Sequence, residues 1–502
     1  MELNAQDRLY RAFDGYGMQY DSGLNAFWDY HLFKQLKEKN APYYVLSRTY
    51  DRTLAYFLTA TYSYKGRYTL TGTTRYEGSN MLGRSRSARW LPTWNVSGAW
   101  NAHEEDFFDR QKLLSHLTLK ASYSLVAEAP KWLTNSRVVV RSGSVWRPSA
   151  DLTENTNEIT GYENSGLTYE KKHEFNVGID MGLFNNRVNI TADAYKRNNF
   201  DLIGTTYTIG GSRYGNVATM KSHGFEFSIS TKNIQTKDFS WTSDFIFGSN
   251  HNEVTQLTTK RHMFSFLSGN GFARQGYPVR SLFSIPYTGL DNEGFPTFKV
   301  NGQTINRHNY KEINFQQIDD LDFLKYEGPT DPKYTGSLGN VFSYKGFHLN
   351  VFLTYSFGNV VRLDPKFRAK YNDMSSMTQA FNNRWVQSGE EKKTDVPGIL
   401  SRREYEKNTN LRYAYNGYNY STARIAKGDF IRLKEISLAY DLPKTLLKHT
   451  PINSISVKLQ ATNLFLLYAD KKLNGQDPEF FNAGGVASPM PRQFTFSLKV
   501  GL

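Results

Sequence analysis

The stretch from Tyr334 to Phe357, YTGSLGNVFSYKGFHLNVFLTYSF, constrains the fold more than any other part of the chain. Phe347, Leu349, Val351, Leu353, Tyr355 and Phe357 take every second position. His348, Asn350, Thr354 and Ser356 fall between them, with Phe352 the single interruption. Period two in aromatic and β-branched residues predicts a strand, because successive side chains of an extended backbone point to opposite faces. Lys345-Gly346 joins it to a strand ending at Tyr344, and two residues suffice for a tight hairpin. The apolar side runs for about 11 residues, enough for a tilted strand to cross the hydrocarbon of a bilayer. One such hairpin fits a soluble sandwich equally well, so recurrence along the chain decides.

The pattern recurs. Leu54, Tyr56, Leu58, Ala60, Tyr62 and Tyr64 alternate with Ala55, Phe57, Thr59, Thr61 and Ser63, and Lys65-Gly66 turns the chain into Tyr68, Leu70, Gly72, Thr74 and Tyr76. Phe175 to Met181 and Val188 to Ala194 form another hairpin around Asn185-Asn186. Further strands are predicted near Trp94–Trp100, Leu117–Tyr123, Phe225–Ile229, Phe239–Phe247, Phe430–Asp441 and Ile455–Ala461. Phe494, Phe496, Leu498, Val500 and Leu502 alternate with small or polar residues up to the last position. The segment 250–330 suggests one strand pair around Leu282 and Phe298. About 13–15 strands result, with short turns and long polar segments in alternation, as outer-membrane barrels have on their two sides. Residues 1–52 read as an extracellular loop segment with a short helix near Phe27 to Lys39, and residues 53–502 as barrel.

Composition fits. Mean hydropathy is −0.58, and no run approaches the ~18 apolar residues of a membrane helix, whereas in a barrel every second residue faces away from lipid. Aromatic residues make up 15% of the 502, with 33 Tyr and 34 Phe, which suits girdles of rings at the bilayer interfaces. Cysteine is absent, so disulfides, cysteine metal sites and thiol nucleophiles are excluded. The net charge of +14 is scattered along the strands. That distribution favours anionic lipid sugars and acidic solutes over nucleic acid, whose recognition needs a clustered basic element.

Several stretches share one order with a known family: YSYKGRYTLTGTTRYEGSN at 62–80, HEEDFF at 103–108, LTLKASYSL at 117–125, HEFNVGIDMGLFNNRVNITADAY at 173–195, PKYTGSLGNVFSYKGFHLNVFLTYSFGN at 332–359 and GDFIRLKEISLAYDLP at 428–443. ATNLFLLYADKKLNGQDPEF and the terminal PRQFTFSLKVGL continue it. The chain resembles the C-terminal part of SusC/RagA-type TonB-dependent transporters of the Bacteroidetes outer membrane. The resemblance implies an all-β transmembrane antiparallel barrel of about 22 strands around a plug. It also implies TonB as the energy source and a SusD-like surface lipoprotein as lid, for import of oligosaccharide or peptide. The plug and first strands have no counterpart here. A chain starting outside and ending on the periplasmic side has an odd strand number, whereas bacterial single-chain barrels have even ones. Another polypeptide, the N-terminal barrel and plug portion, is therefore expected to complete the wall. The alternatives are a passive porin or structural barrel, and a secreted β-rich carbohydrate-active enzyme.

No enzyme signature is present: HExxH, P-loop and GxSxG are all missing. No cofactor is expected. Glu104, Glu105 and Asp106 read as a solvated acidic turn, and Asp319, Asp320 and Asp322 as a candidate calcium set outside EF-hand spacing. Substrate-binding candidates are the rings and amides of the long loop, Tyr405, Arg412, Tyr413, Tyr415, Asn416, Tyr418, Asn419 and Tyr420, with Trp146 and Tyr214 elsewhere. Rings stack on sugars and amides fix hydroxyls or peptide groups. The competing reading is that these rings pack the loops together.

Overall fold

The two Lys-Gly turns close as read. Lys65 and Gly66 have φ of 51° and 69°, and Lys345 and Gly346 have φ of 45° and 88°. Left-handed geometry at both central residues matches the twist of the flanking strands, so Tyr64 faces Tyr68 and Tyr344 faces Phe347. The computed structural model describes residues 2–13, 44–108, 113–130, 133, 135, 138–144, 155–208, 211–368, 371, 377–448, 451–481 and 491–501.

Fourteen strands follow one another in a single antiparallel meander. They are β1 (Glu2–Phe13), β2 (Tyr44–Tyr64), β3 (Tyr68–Ser79), β4 (Trp90–Asn101), β5 (Leu114–Glu128), β6 (Glu170–Leu183) and β7 (Val188–Thr208). Then come β8 (Gly211–Gln235), β9 (Phe239–Leu257), β10 (Tyr334–Tyr344), β11 (Phe347–Phe357), β12 (Phe430–Asp441), β13 (Ser454–Ala469) and β14 (Gln493–Gly501). A side pair, Val138–Ser144 with Asn155–Tyr162, joins β8. At the Lys-Gly end connections are short. At the other end lie the long segments 129–169, 258–333 and 358–429. The exceptions at that end are the connection 80–89 and the β7–β8 pair, whose strands themselves lengthen to 21 and 25 residues.

Three expectations need correction. Glu2–Phe13 is a strand in register with Tyr44–Ala55, so 1–52 is not all loop: alternation in ELNAQDRLYRAF is too weak to see, and the pairing with β2 overrides it. The helix expected at Phe27 to Lys39 lies outside the described residues. Because β1 runs away from the Lys-Gly end, the path holds an even number of strands, not an odd one. Leu282 and Phe298 are not partners. Leu282 pairs with Gly328, and Phe298 with Tyr287 and Ile305, in two small sheets of the connection before β10.

Register carries one apolar face across the whole sheet, because residues directly opposite share a face. Tyr62, Leu70, Gly98, Ala121 and Val177 are successive cross-strand partners, leading on to Ala194 and Phe225. At the far edge the row is Leu349, Leu438, Leu459 and Phe496. These side chains are uncovered: Tyr62 is 66% exposed, Leu459 56% and Phe496 65%. The greasy face does not stack on a second sheet. The opposite face carries Thr71, Ser97, Ser122, Asn176 and Tyr195 in one register row.

The packed core lies in the long connections. Met263, Phe283, Phe298, Tyr310, Phe367, Tyr415 and Tyr418 belong to one cluster contributed by 258–333 and 358–429. Among the described residues both sheet edges are open. β1 covers β2 only up to Ala55, leaving Tyr56–Tyr64 paired on one side, and β14 pairs only with β13.

Candidate functional site

The helix Arg412–Asn419 organises the long-connection core. Leu411, Ala414, Tyr415 and Tyr418 recur at helical spacing and are all buried, the stripe that turns a helix toward a core. Gly417 faces the Phe298 ring so closely that a Cβ would lie 2.9 Å from it. The rings are fixed by their polar tips. The Tyr415 hydroxyl donates to the Gly398 carbonyl at 2.8 Å, and burial pushes its pKa well up. Burial likewise pushes Tyr418 up to about 12. Asn419 clamps Phe367, accepting from its N–H at 3.1 Å and donating to its carbonyl at 2.7 Å.

Tyr415, Tyr418 and Asn419 are therefore not exposed substrate contacts, as the sequence suggested. They are 1%, 2% and 4% exposed and pack the loops, because helical spacing turns them inward. Tyr405 and Tyr413 are half-buried against the same cluster, and Arg412 donates to the Tyr413 hydroxyl at 2.9 Å. Tyr214 packs in a separate small cluster with Leu82, Leu133, Leu167 and Tyr169. Trp146 lies outside the described residues.

Exposed Asn416 and half-buried Tyr420 come together. Asn416 and Tyr420 line a hollow of about 350 Å³ with Phe264, Phe315 and Gln316. The Tyr420 ring stands edge-on to Phe264 at 5.4 Å and to Phe315 at 5.7 Å. The Arg362 guanidinium covers Tyr420 at 5.7 Å. Arg362 itself is buried and donates to the Phe283 carbonyl, the Ser284 hydroxyl and the Ser421 carbonyl, and burial pushes its pKa down to about 9. Three rings and two amides around an open hollow can hold the flat C–H face of a sugar or an apolar peptide side chain, with amides free for hydroxyls or peptide groups. Phe264, Phe315 and Gln316 were not foreseen. They lie some hundred positions or more before Asn416, and no spacing rule links them to it.

A larger hollow, about 470 Å³, is lined by Tyr62, Tyr68, Leu70, Trp100 and Leu119. It opens on the apolar face and lacks convergent polar groups.

Two of the three calcium candidates are each held by a base. Asp319 pairs with Lys260 at 2.6 Å and Asp322 with Arg274 at 2.5 Å. Among the described residues no three His, Asp or Glu side chains converge as a metal would require. Glu105 is held by Arg67 and Trp100, each at 3.1 Å, and by the Tyr68 hydroxyl, and Asp106 by Arg67. Ser343, His348 and Asp441 form a hydrogen-bonded row, with 2.8 Å from Ser343 to Nδ1 and 3.2 Å from Nε2 to Asp441. It sits beside an exposed turn on adjacent strands.

A family model described as TonB dependent receptor-like, beta-barrel matches residues 2–464. TonB-dependent receptor P3 of Formosa agariphila is 26% identical over 403 residues, covering 76% of this chain and 37% of the relative. TonB-dependent receptor SusC of Bacteroides thetaiotaomicron is 26% identical over 430 residues, covering 83% of this chain and 40% of the relative. The chain thus spans about two fifths of these relatives. A structure of the RagAB peptide importer in its closed-closed state superposes with a TM-score of 0.73 at 21% identity, covering 99% of this chain and 52% of that one.

Proposed function

We propose, from the premise that this chain belongs to the TonB dependent receptor-like β-barrel family, that it forms the C-terminal wall and outer mouth of a SusC-type nutrient importer in the bacterial outer membrane. The observation that carries this reading is the apolar face carried in register from β2 to β14, with Tyr62, Leu459 and Phe496 uncovered. In water such a face would be a liability. In a bilayer it is the solvated surface, and the polar face lines the lumen.

The open edges then call for partners. Each leaves about eight outward N–H and C=O groups, at several kcal/mol apiece in hydrocarbon, on the order of tens of kcal/mol in total. Strands outside this chain, those of the N-terminal barrel and plug portion, cover Tyr56–Tyr64 and β14. The plug is the part that TonB pulls. A SusD-like lipoprotein closes the mouth; Val386 and Ile399, 66% and 52% exposed, are apolar residues of the long connections suited to such a lid. The cargo, an oligosaccharide or a peptide, rests in the hollow of Phe264, Phe315, Gln316, Asn416 and Tyr420, and no covalent chemistry is done on it.

The test is uptake of a labelled panel of oligosaccharides and peptides by cells with the wild-type gene, a deletion, and a Phe264→Ala/Asn416→Ala variant. The deletion abolishes uptake of one class. The variant weakens capture of that class roughly tenfold, the worth of one ring contact and one hydrogen bond. A deletion strain that takes up every member of the panel normally refutes the reading.

A further inference from the structure

Along most of its border away from the Lys-Gly turns, the apolar face ends in rings. Tyr76 stacks on Trp90 at 5.2 Å, Trp94 stands edge-on to Tyr123 at 5.3 Å, and Phe357 lies against Tyr468 at 6.3 Å. Across β7, β8 and β9 the rings give way to bases. Register sets Lys196 opposite His223 and His223 opposite His251, one row on the apolar face. Two positions outward, Lys221 stands opposite Asn198 and Glu253. The row directly inward is Ala194, Phe225 and Ser249.

The two imidazoles stack at 5.5 Å with their planes 10° apart. Lys196 and Lys221 are exposed, and neither ammonium group has an ion-pair partner among the described residues, Glu253 included. The depth is informative. His223 lies 12 positions from Gln235 (235 − 223), and His251 lies 12 from Phe239 (251 − 239), where their strands end at the short turns. A tilted strand crosses the hydrocarbon in about 9–11 residues, so both imidazoles stand just beyond it. Lys196, the register partner of His223, stands beside them in the same row.

We propose that Lys196, Lys221, His223 and His251 form a binding site for the phosphate of an outer-leaflet lipid headgroup. Phosphate oxygens accept charge-assisted bonds from the two ammonium groups and hydrogen bonds from imidazole N–H groups. The acyl chains of the same molecule lie along Phe225 and the apolar rows inward of it. A soluble anion has no use for that adjoining greasy surface, which is why the lipid is preferred over free phosphate. The inference rests on the outer-membrane reading.

The test is native mass spectrometry of the transporter containing this chain, purified from outer membranes and titrated with bisphosphorylated lipid A, with the same lipid after dephosphorylation, and with inorganic phosphate. Wild type is expected to retain the phosphorylated lipid. Lys196→Gln/Lys221→Gln retains it roughly 25-fold less well, about fivefold per base at a membrane surface, while Lys196→Arg/Lys221→Arg keeps it. Heat-modifiable migration on gels verifies that each variant is a folded barrel. Equal retention by the Gln variant, or of dephosphorylated lipid by wild type, overturns the site. Binding of inorganic phosphate as tight as that of the lipid overturns the lipid assignment. Absence of the chain from the outer-membrane fraction sinks the transport reading and this site together; membrane location with lysine-independent retention sinks this site alone.

Discussion

The pair Arg432–Asp477 offers the sharpest energetic test. Arg432 is 3% exposed and Asp477 1%. One guanidinium nitrogen lies 2.6 and 2.7 Å from the two Asp477 oxygens, and half-exposed Glu479 is 3.2 Å away. The contact fastens the connection after β13 to β12. Replacing Asp477 with Leu strands a buried cation, which costs about 3–5 kcal/mol. It also removes the cap that Asp477 supplies to the Glu479 N–H, about 1 kcal/mol more. Glu479 recovers part of this, so about 4 kcal/mol is expected. The double variant Arg432→Met/Asp477→Leu buries no charge and loses only the cap, about 1 kcal/mol. The difference of about 3 kcal/mol is roughly 150-fold in the population of the opened segment. Amide hydrogen exchange over Phe430–Asp441 and Lys471–Phe480 reads that population directly. Exchange in the double variant as fast as in the single would refute the argument, since the damage would then come from lost packing rather than from an unpaired charge.

Three further outcomes are expected. Gly346→Ala destabilises more than Gly66→Ala in urea refolding into detergent: both turns need positive φ, at about 1 kcal/mol, but only at Gly346 would a Cβ meet the Asp441 carbonyl at 2.8 Å, with open space around Gly66. Leu459→Arg, on the apolar face, lowers folding stability in lipid vesicles by about 2–4 kcal/mol, whereas Gln460→Arg on the opposite face changes it little; equal effects would mean the faces are assigned wrongly. Burial pushes the Asp291 carboxyl up, against the bond from the Phe295 N–H. The folded state then holds its proton to higher pH than the unfolded chain does, so local stability of the Tyr287–Val300 hairpin rises as pH falls through the raised value and levels off below the unfolded one. Hydrogen exchange across that range should lose its pH dependence in Asp291→Asn.

The sheet was legible because its code is local. Alternation sets the face, and Lys-Gly sets the register at Tyr64–Tyr68 and Tyr344–Phe347, so cross-strand pairs such as Tyr62 with Leu70 and Phe342 with Leu349 follow without long-range information. β1 was missed since ELNAQDRLYRAF places charge on both faces and owes its extension to β2. The site was less legible for the opposite reason. RYAYNGYN looks like a display of rings, yet the positions that matter are Leu411, Ala414, Tyr415 and Tyr418, whose helical spacing is shorter than the polar run around them. Their partners Phe298, Tyr310 and Phe367 come from two distant segments, and no local pattern names them. Tyr415, Tyr418 and Asn419 became core for this reason, while Asn416 and Tyr420 kept an open side.

The placement of the hollow bears on how an importer would hold cargo. Phe264, Phe315 and Gln316 come from the connection before the β10–β11 hairpin, and Asn416 and Tyr420 from the connection after it. Two segments anchored at opposite ends of one hairpin would normally drift independently. Here they are stitched. The Ile285 N–H donates to the Tyr420 carbonyl and the Thr422 N–H to the Ile285 carbonyl, each at 3.1 Å, and Arg362 bonds both segments at once through Phe283, Ser284 and Ser421. A buried guanidinium without a carboxylate in direct contact is expensive to desolvate, and a core needing only stability would carry an apolar side chain there. What Arg362 adds is direction: its donors fit one relative placement of the segments, and its charge lies over Tyr420. Under the proposed function the rings would be ordered before cargo arrives, so little loop ordering would oppose capture, and release would have to come from movement elsewhere in the mouth rather than from melting of this core.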